Sequence, residues 1–86
     1  MKSDEWFMYV VECSDGTLYT GITTNLERRI HEHNHTPRAA KYTIRRRPVK
    51  LIYFLPIGSR SDALKEEYKF KQLSRKQKLR IIHEGG

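Results

Sequence analysis

Three short apolar runs alternate along the chain with stretches of helical periodicity. Trp6 to Cys13 (WFMYVVEC) is apolar, β-branched and aromatic, too short for an unaided helix, and predicts a strand. On a period of two, Phe7, Tyr9, Val11 and Cys13 share one face, and Trp6, Met8, Val10 and Glu12 share the other. Ser14-Asp15-Gly16-Thr17 follows as a turn, since glycine supplies the positive φ of a tight hairpin. Leu18 to Thr23 returns as a second strand with Tyr19 and Gly21 on one face. A hairpin can bring Tyr9 and Tyr19 to one side of the sheet, in a register the pattern leaves open.

Thr24 or Asn25 can cap the helix that comes next, with Glu27 in its first turn near the positive end of the dipole. Leu26 and Ile30 mark its buried stripe. At about 100° per residue, Arg29 lies roughly 60° and His33 roughly 20° from Leu26, whereas Arg28 points roughly 160° away. Arg29 and His33 therefore border the core and Arg28 faces water. Residues 35 to 48 hold no sustained period, include two prolines and predict a long loop. Val49 to Leu55 (VKLIYFL) is a third strand, apolar enough to be central and ended by Pro56 and Gly58.

Ser59 or Ser61 caps a second helix running to about Leu73, with Ala63, Leu64, Tyr68 and Phe70 as its apolar arc. Glu67 falls near the middle of that arc, and Glu66 roughly 100° further round. A carboxylate on a buried face is costly unless it is paired or bound to a metal, so Glu67 requires an explanation and Glu66 does not. Ser74 caps a third, strongly basic helix docked by Leu79, Ile81 and Ile82, and Gly85-Gly86 closes the chain. The order β-β-α-β-α-α predicts an α+β fold: a small mixed sheet of three strands flanked by helices.

Eighty-six residues make one domain, which buries only about 60–65% of its unfolded surface. The lone cysteine, Cys13, excludes an intramolecular disulfide, and with no apolar run of leader or bilayer length the expectation is a soluble cytoplasmic protein. Lysine and arginine total 17 against 10 acidic residues, a net charge of +7. The basic residues cluster at Arg45-Arg46-Arg47 and from Lys69 to Arg80, which favours a polyanionic partner. Lys41-Tyr42-Thr43-Ile44-Arg45-Arg46-Arg47 mixes aromatic, hydroxyl and guanidinium groups suited to phosphate contact and base stacking, with Lys41, Tyr42, Arg45, Arg46 and Arg47 as the candidate contacts, and Arg75 and Lys76 extend the basic surface.

Tyr9, Tyr19, Arg29, His33 and Glu67 together contain what phosphodiester hydrolysis needs. A tyrosine or histidine can take a proton from water, an arginine can fork onto phosphate oxygens, and one carboxylate can hold a Mg²⁺ whose other ligands are water and phosphate. The competing structural reading makes the tyrosines a cross-strand packing pair and the arginine an ion-pair partner. His31 and His35, four apart on a helix, could share a metal, but no cysteine pair or third spaced ligand follows, and they read as solvated helix-end histidines. Cys13 has no adjacent base and reads as core filler.

Met8-Tyr9-Val10, then Tyr19-Thr20-Gly21, then Asn25-Leu26-Glu27-Arg28-Arg29 resembles the core of the GIY-YIG nuclease superfamily. In that family the two tripeptides lie on the first two strands, the key arginine follows the second glycine by eight residues, and a metal-binding glutamate sits on a later helix. Those places fall on Arg29 and Glu67, the residues that helical geometry singles out. His33 stands where some members have histidine and others tyrosine. Length, Lys41-Tyr42-Thr43, Arg46-Arg47-Pro48 and the basic tail are similar to the small stand-alone bacterial GIY-YIG proteins, a group of poorly defined function. Met8, Val10 and Thr20 depart from the usual tripeptides at positions pointing away from the tyrosines. The resemblance implies a nuclease hydrolysing phosphodiester bonds in DNA, structure-specific and acting in repair or recombination, with one Mg²⁺ (or Mn²⁺) on Glu67. Tyr9 or Tyr19 would activate water, Arg29 stabilise the phosphate and His33 assist by hydrogen bonding or proton transfer. RNA remains an open substrate, and a small basic domain with no second module implies a protein that delivers it. The alternative is a non-catalytic nucleic-acid-binding module that keeps the nuclease fold.

Overall fold

A computed structural model describes residues 5–85. Met1 to Asp4, the segment read as carrying no leader, and Gly86, half of the closing glycine pair, lie outside the described residues. The elements follow in the expected order: β1 (Trp6–Glu12), β2 (Leu18–Thr23), α1 (Leu26–His35), α2 (Lys41–Ile44), β3 (Lys50–Gly58), α3 (Arg60–Lys71) and α4 (Arg75–Gly85). The fold is α+β, a three-stranded sheet flanked by helices.

The sheet is antiparallel throughout, in the order β2-β1-β3, rather than mixed. β2 and β3 run the same way, as strands joined through a helix normally do, but β1 is inserted between them, so each neighbouring pair is antiparallel. This corrects the placement of β3, which is an edge and not the centre. The central strand is β1, whose Met8, Tyr9, Val10 and Val11 are all 2% exposed or less. A strand covered on both faces reads as an unbroken apolar run, which is why WFMYVVEC carries no clean alternation. β3 also runs three residues beyond Leu55, because Pro56 is tolerated on an edge beside the register shift at Trp6/Phe7.

Two cores result, one on each face. Met8 and Val10 meet Phe70 and Ile82 of α3 and α4. Tyr9, Val11 and Cys13 meet Val49, with Leu26 and Ile30 of α1 closing that side. Each fully buried side chain of this size contributes about 1.5–3 kcal/mol, so a short chain with two cores depends on nearly all of them. Asn25 caps α1 by accepting from the Arg28 amide, and Ser59 caps α3 by accepting from that of Asp62. Ser74 caps α4 reciprocally, accepting from the Gln77 amide while Gln77 Oε1 accepts from its own.

Three smaller expectations change. The 35–48 stretch contains one helical turn, α2, too short for a period to reveal and tied down by buried Thr43. On α3 the line facing the sheet is Ala63 and Phe70, and Leu64 and Tyr68, about 100° and 140° round from Ala63, stand in solvent. On α4, Ile82 is buried and Leu79 packs against the core, whereas Ile81 is exposed.

Candidate active site

Pairing of Tyr9 with Gly21 and of Val11 with Tyr19 settles the hairpin register and puts both tyrosines on the face covered by α1. Gly21 is needed there for room. A β-carbon on it would stand 2.5 Å from the Tyr9 phenol oxygen.

Below the phenol lies His33, fully buried one turn after Arg29. Tyr9 Oη and His33 Nε2 are 2.7 Å apart, and His33 Nδ1 lies 2.9 Å from Thr43 Oγ1 of α2. The Tyr19 ring meets the same imidazole edge-on at 5.5 Å between centroids. Burial holds His33 down to about 4, with the Arg29 charge acting in the same direction, so the ring is neutral at physiological pH. Burial raises the Tyr9 phenol to about 12 although Arg29 nearby opposes the rise. Both groups are therefore un-ionised at rest. Moving the proton from a phenol near 12 to an imidazole near 4 costs about 11 kcal/mol, so ionising this pair requires further positive charge brought to the phenol oxygen.

Arg29 and Arg28 differ as the helical phase predicts, their side chains being 25% and 59% exposed. One Arg29 nitrogen, Nη1, donates to Glu32 at 3.0 Å and to the Arg38 carbonyl at 2.9 Å. This clamps the guanidinium beside the phenol. Glu67 is likewise the more buried of the adjacent glutamates, 18% exposed against 40% for Glu66. Its Oε2 lies 3.3 Å from Lys71 Nζ, one turn on, and its charge is felt at the Tyr9 phenol. A groove of about 270 Å³ straddles the open edge of β2, lined by Leu18, Tyr19, Thr20, Tyr42, Lys71 and Lys78. Tyr19, Arg29 and Glu67, from β2, α1 and α3, are all felt at the buried Tyr9 phenol, and of the three only Tyr19 lines the groove.

The expected nucleic-acid residues divide. Tyr42 stacks on Tyr19 at 6.0 Å, and the Arg46 guanidinium sits 3.8 Å over the Tyr42 ring while pairing with Asp15 at 3.1 Å. Lys41, Arg45, Arg75 and Lys76 are exposed. Arg47 turns inward: it donates to the carbonyls of Glu32, His33 and Thr36 and so satisfies the C-terminal end of α1. Lys71 and Lys78 were covered only as part of the basic Lys69–Arg80 cluster, and Thr43 only as a hydroxyl in the loop stretch from Lys41 to Arg47. Lys71 follows Glu67 by four residues and was legible as a same-face ion pair. The contact of Thr43 with His33 carried no signal, because the two lie ten residues apart across a turn, and the hydroxyl read as suited to phosphate is buried instead. His31 and His35 lie side by side on α1, ring centroids 4.7 Å apart and both exposed.

For a divalent ion, Glu67 offers one carboxylate in a half-buried setting with Oε1 free of protein partners among the described residues. No group of three potential side-chain ligands occurs among them. A single carboxylate suits an ion that keeps its waters and takes phosphate oxygens from the substrate, and does not suit a structural metal.

The domain is of a nuclease-type family by its match to a family model. The GIY-YIG catalytic domain family matches residues 5–80, and the chain belongs to that family. It is 54% identical over 77 residues to a UPF0213 protein of Desulfotalea psychrophila, covering 90% of this chain and 70% of that one. A UPF0213 protein of Staphylococcus saprophyticus is 48% identical over 95% of this chain and 99% of its own. The solution structure of a UPF0213 protein from Bacillus halodurans superposes with a TM-score of 0.59 at 38% identity, covering 92% of this chain and 83% of that one. These relatives are small stand-alone bacterial GIY-YIG proteins. No helix among the described residues is long and apolar enough to cross a membrane.

Proposed function

We propose that the chain is a metal-dependent endonuclease hydrolysing phosphodiester bonds in DNA, preferring branched or otherwise non-duplex structures of the kind met in repair or recombination. The observation that carries this reading is the buried Tyr9–His33 pair, 2.7 Å apart, beneath a groove walled by Tyr19 and two lysines. Packing alone does not call for such a pair. The hydrogen bond supplies a defined path for a proton, and because burial holds both groups un-ionised the path opens only when positive charge is brought to the phenol oxygen.

In this reading DNA lies along the open edge of β2. Lys71 and Lys78 take backbone phosphates, Tyr42 and Arg46 bear on a neighbouring nucleotide, and Arg29 forks onto the scissile phosphate with the nitrogens its clamp leaves free. Glu67 would hold, through a single carboxylate, one Mg²⁺ or Mn²⁺, which would supply charge neutralisation and a more acidic water. Tyr9 takes the proton of the attacking water while its own passes to His33, so the charge is relayed inward and no free phenolate is needed. Tyr19, on the groove wall, orients the water and phosphate. Lys41, Arg45, Arg75 and Lys76 add general attraction, and a second protein that presents the substrate would raise otherwise weak affinity. RNA, which offers the same phosphates, is a control substrate.

One observation favours a different reading. Lys71 already neutralises Glu67 at 3.3 Å, as expected of a nucleic-acid-binding module that has given up its metal. A cleavage screen over branched, single-stranded and duplex DNA with Mg²⁺ and Mn²⁺ separates the two. Endonuclease activity lost in Glu67→Ala and Tyr19→Phe with binding retained supports the enzyme. Salt-sensitive binding with no product on any substrate supports the module.

A further inference from the structure

We infer that Thr43 is a positioning residue that fixes the tautomer of His33, with Nδ1 protonated and Nε2 free, and so makes Tyr9 a hydrogen-bond donor into the protein. The inference rests on the reading of Tyr9 and His33 as a proton path, although the tautomer itself can be observed without any activity.

The argument is a count of protons in a closed space. Tyr9 is 1% exposed, and His33 and Thr43 are fully buried. Four groups stand in a row: Tyr9 Oη, the two ring nitrogens of His33, Thr43 Oγ1 and the Ala40 carbonyl, at successive separations of 2.7, 2.9 and 2.9 Å. A neutral imidazole carries one N–H, each hydroxyl carries one proton, and the carbonyl only accepts. If Thr43 donates to Ala40, it accepts from Nδ1–H, and Nε2 accepts from the phenol. Every proton then has an acceptor.

The reverse order has Thr43 donating to Nδ1 and Nε2–H donating to Tyr9. The phenol proton would then have no acceptor among the described residues, since the other group that hydrogen-bonds Tyr9 Oη, the Arg29 guanidinium, can only donate. That the Ala40 carbonyl also receives the Thr43 and Ile44 amides, at 2.9 and 3.1 Å, does not remove this difference. It makes the threonine hydroxyl the third donor on one oxygen, a crowding the chain accepts at the one threonine placed under the histidine.

The consequence is directional. With Nε2 held free, the Tyr9 oxygen keeps its lone pairs for Arg29 and for a proton arriving from the substrate side. With Nε2 protonated, the same oxygen would already be occupied by the ring N–H and the path would be closed. The one-turn helix α2 and the Thr43 hydroxyl therefore act through His33 and touch no substrate.

The test is a long-range ¹H–¹⁵N correlation of the histidine rings in the full-length protein, with His33→Gln used to assign the His33 signals. We expect wild-type His33 to show a protonated Nδ1 and a pyridine-type Nε2. Thr43→Val, which replaces the hydroxyl with a methyl group, leaves one proton unaccepted in either tautomer and should therefore show a mixture of the two forms, and Thr43→Ser should restore the wild-type pattern. In parallel, cleavage should fall at least about 10-fold in Thr43→Val and stay within about threefold in Thr43→Ser. A wild-type ring protonated on Nε2, or a Thr43→Val ring as fully protonated on Nδ1 as wild type, overturns the inference. If Thr43→Val fails to fold, the wild-type and Thr43→Ser spectra decide it, agreement on Nδ1–H upholding it and anything else overturning it. A wild-type protein that cuts nothing while showing the expected tautomer counts against the proposed function and in favour of Thr43.

Discussion

Gly21 and Tyr9 are in contact across the β1–β2 hairpin so closely that a β-carbon on Gly21 would fall 2.5 Å from the phenol oxygen, 2.7 Å from the ring carbon bearing it and 3.0 Å from the next. The glycine of the second tripeptide exists to admit the tyrosine of the first. Gly16 and Gly58 have positive φ and Gly21 does not, so crowding is its whole constraint.

Gly21→Ala should therefore destabilise the fold by about 1–3 kcal/mol in urea unfolding, through displacement of the Tyr9 ring. Because two ring carbons crowd the site along with the hydroxyl, Tyr9→Phe should not rescue it, whereas Tyr9→Ala should show strong coupling in a double-mutant cycle. Additive effects in the Gly21→Ala/Tyr9→Ala pair would mean that the two residues are not the ones in conflict.

Arg28 and Arg29 make a paired control on one helix. Arg28→Ala should change stability by less than about 0.5 kcal/mol and leave cleavage near wild type. Arg29→Ala should lower cleavage by about 10²–10³-fold, as loss of a group placed on the developing phosphate charge does, with DNA binding reduced far less. Equal losses in the two variants would show that the helical phase does not select the functional arginine.

How much of this was legible in the chain follows from the range of each interaction. Arg29 differs from Arg28, and Glu67 from Glu66, by helical phase, a local quantity that four or five residues reveal. Strand order is not local. VKLIYFL reads as central because it is apolar, yet β3 lies at an edge, and the apolar residues there leave Phe54 49% exposed. Arg47 was read by charge as a DNA contact, but its direction depends on where the C-terminus of α1 comes to lie, which only the folded chain determines. Thr43 was legible as part of Lys41-Tyr42-Thr43 but its contact with His33 was not, for the same reason.

The basic residues therefore separate by experiment. Lys71→Ala and Lys78→Ala should each reduce the slope of log affinity against log salt by about 1, as lost phosphate contacts do. Lys71→Ala also frees Glu67, so it should strengthen divalent-ion binding even as it weakens DNA binding. Arg47→Ala should leave the salt slope unchanged and instead cost about 2–3 kcal/mol of stability, because the His33 and Thr36 carbonyls lose this donor, while that of Glu32 keeps the Thr36 amide and hydroxyl. A unit change in salt slope for Arg47→Ala would restore it to the DNA surface.

The buried imidazole also gives stability a pH dependence whose sign is determined. Folded His33 protonates only near 4, while in the unfolded chain a histidine protonates near about 6.5. Between those values the unfolded chain holds the extra proton, so His33's contribution is complete above about 6.5 and is lost as pH falls through about 4. The full change is about 3 kcal/mol. Asp15 and Glu32, whose carboxyls are held low by a Thr17 hydrogen bond and by Arg29 respectively, add acid sensitivity of the same sign, but in wild type and variant alike. Urea unfolding at a series of pH values should accordingly show wild type losing stability faster than His33→Gln from about 6.5 down to 4. The two curves should run parallel between pH 7 and 8. Parallel curves throughout would mean that the ring can charge in place, and a proton path ending on His33 would then have no neutral acceptor held in reserve.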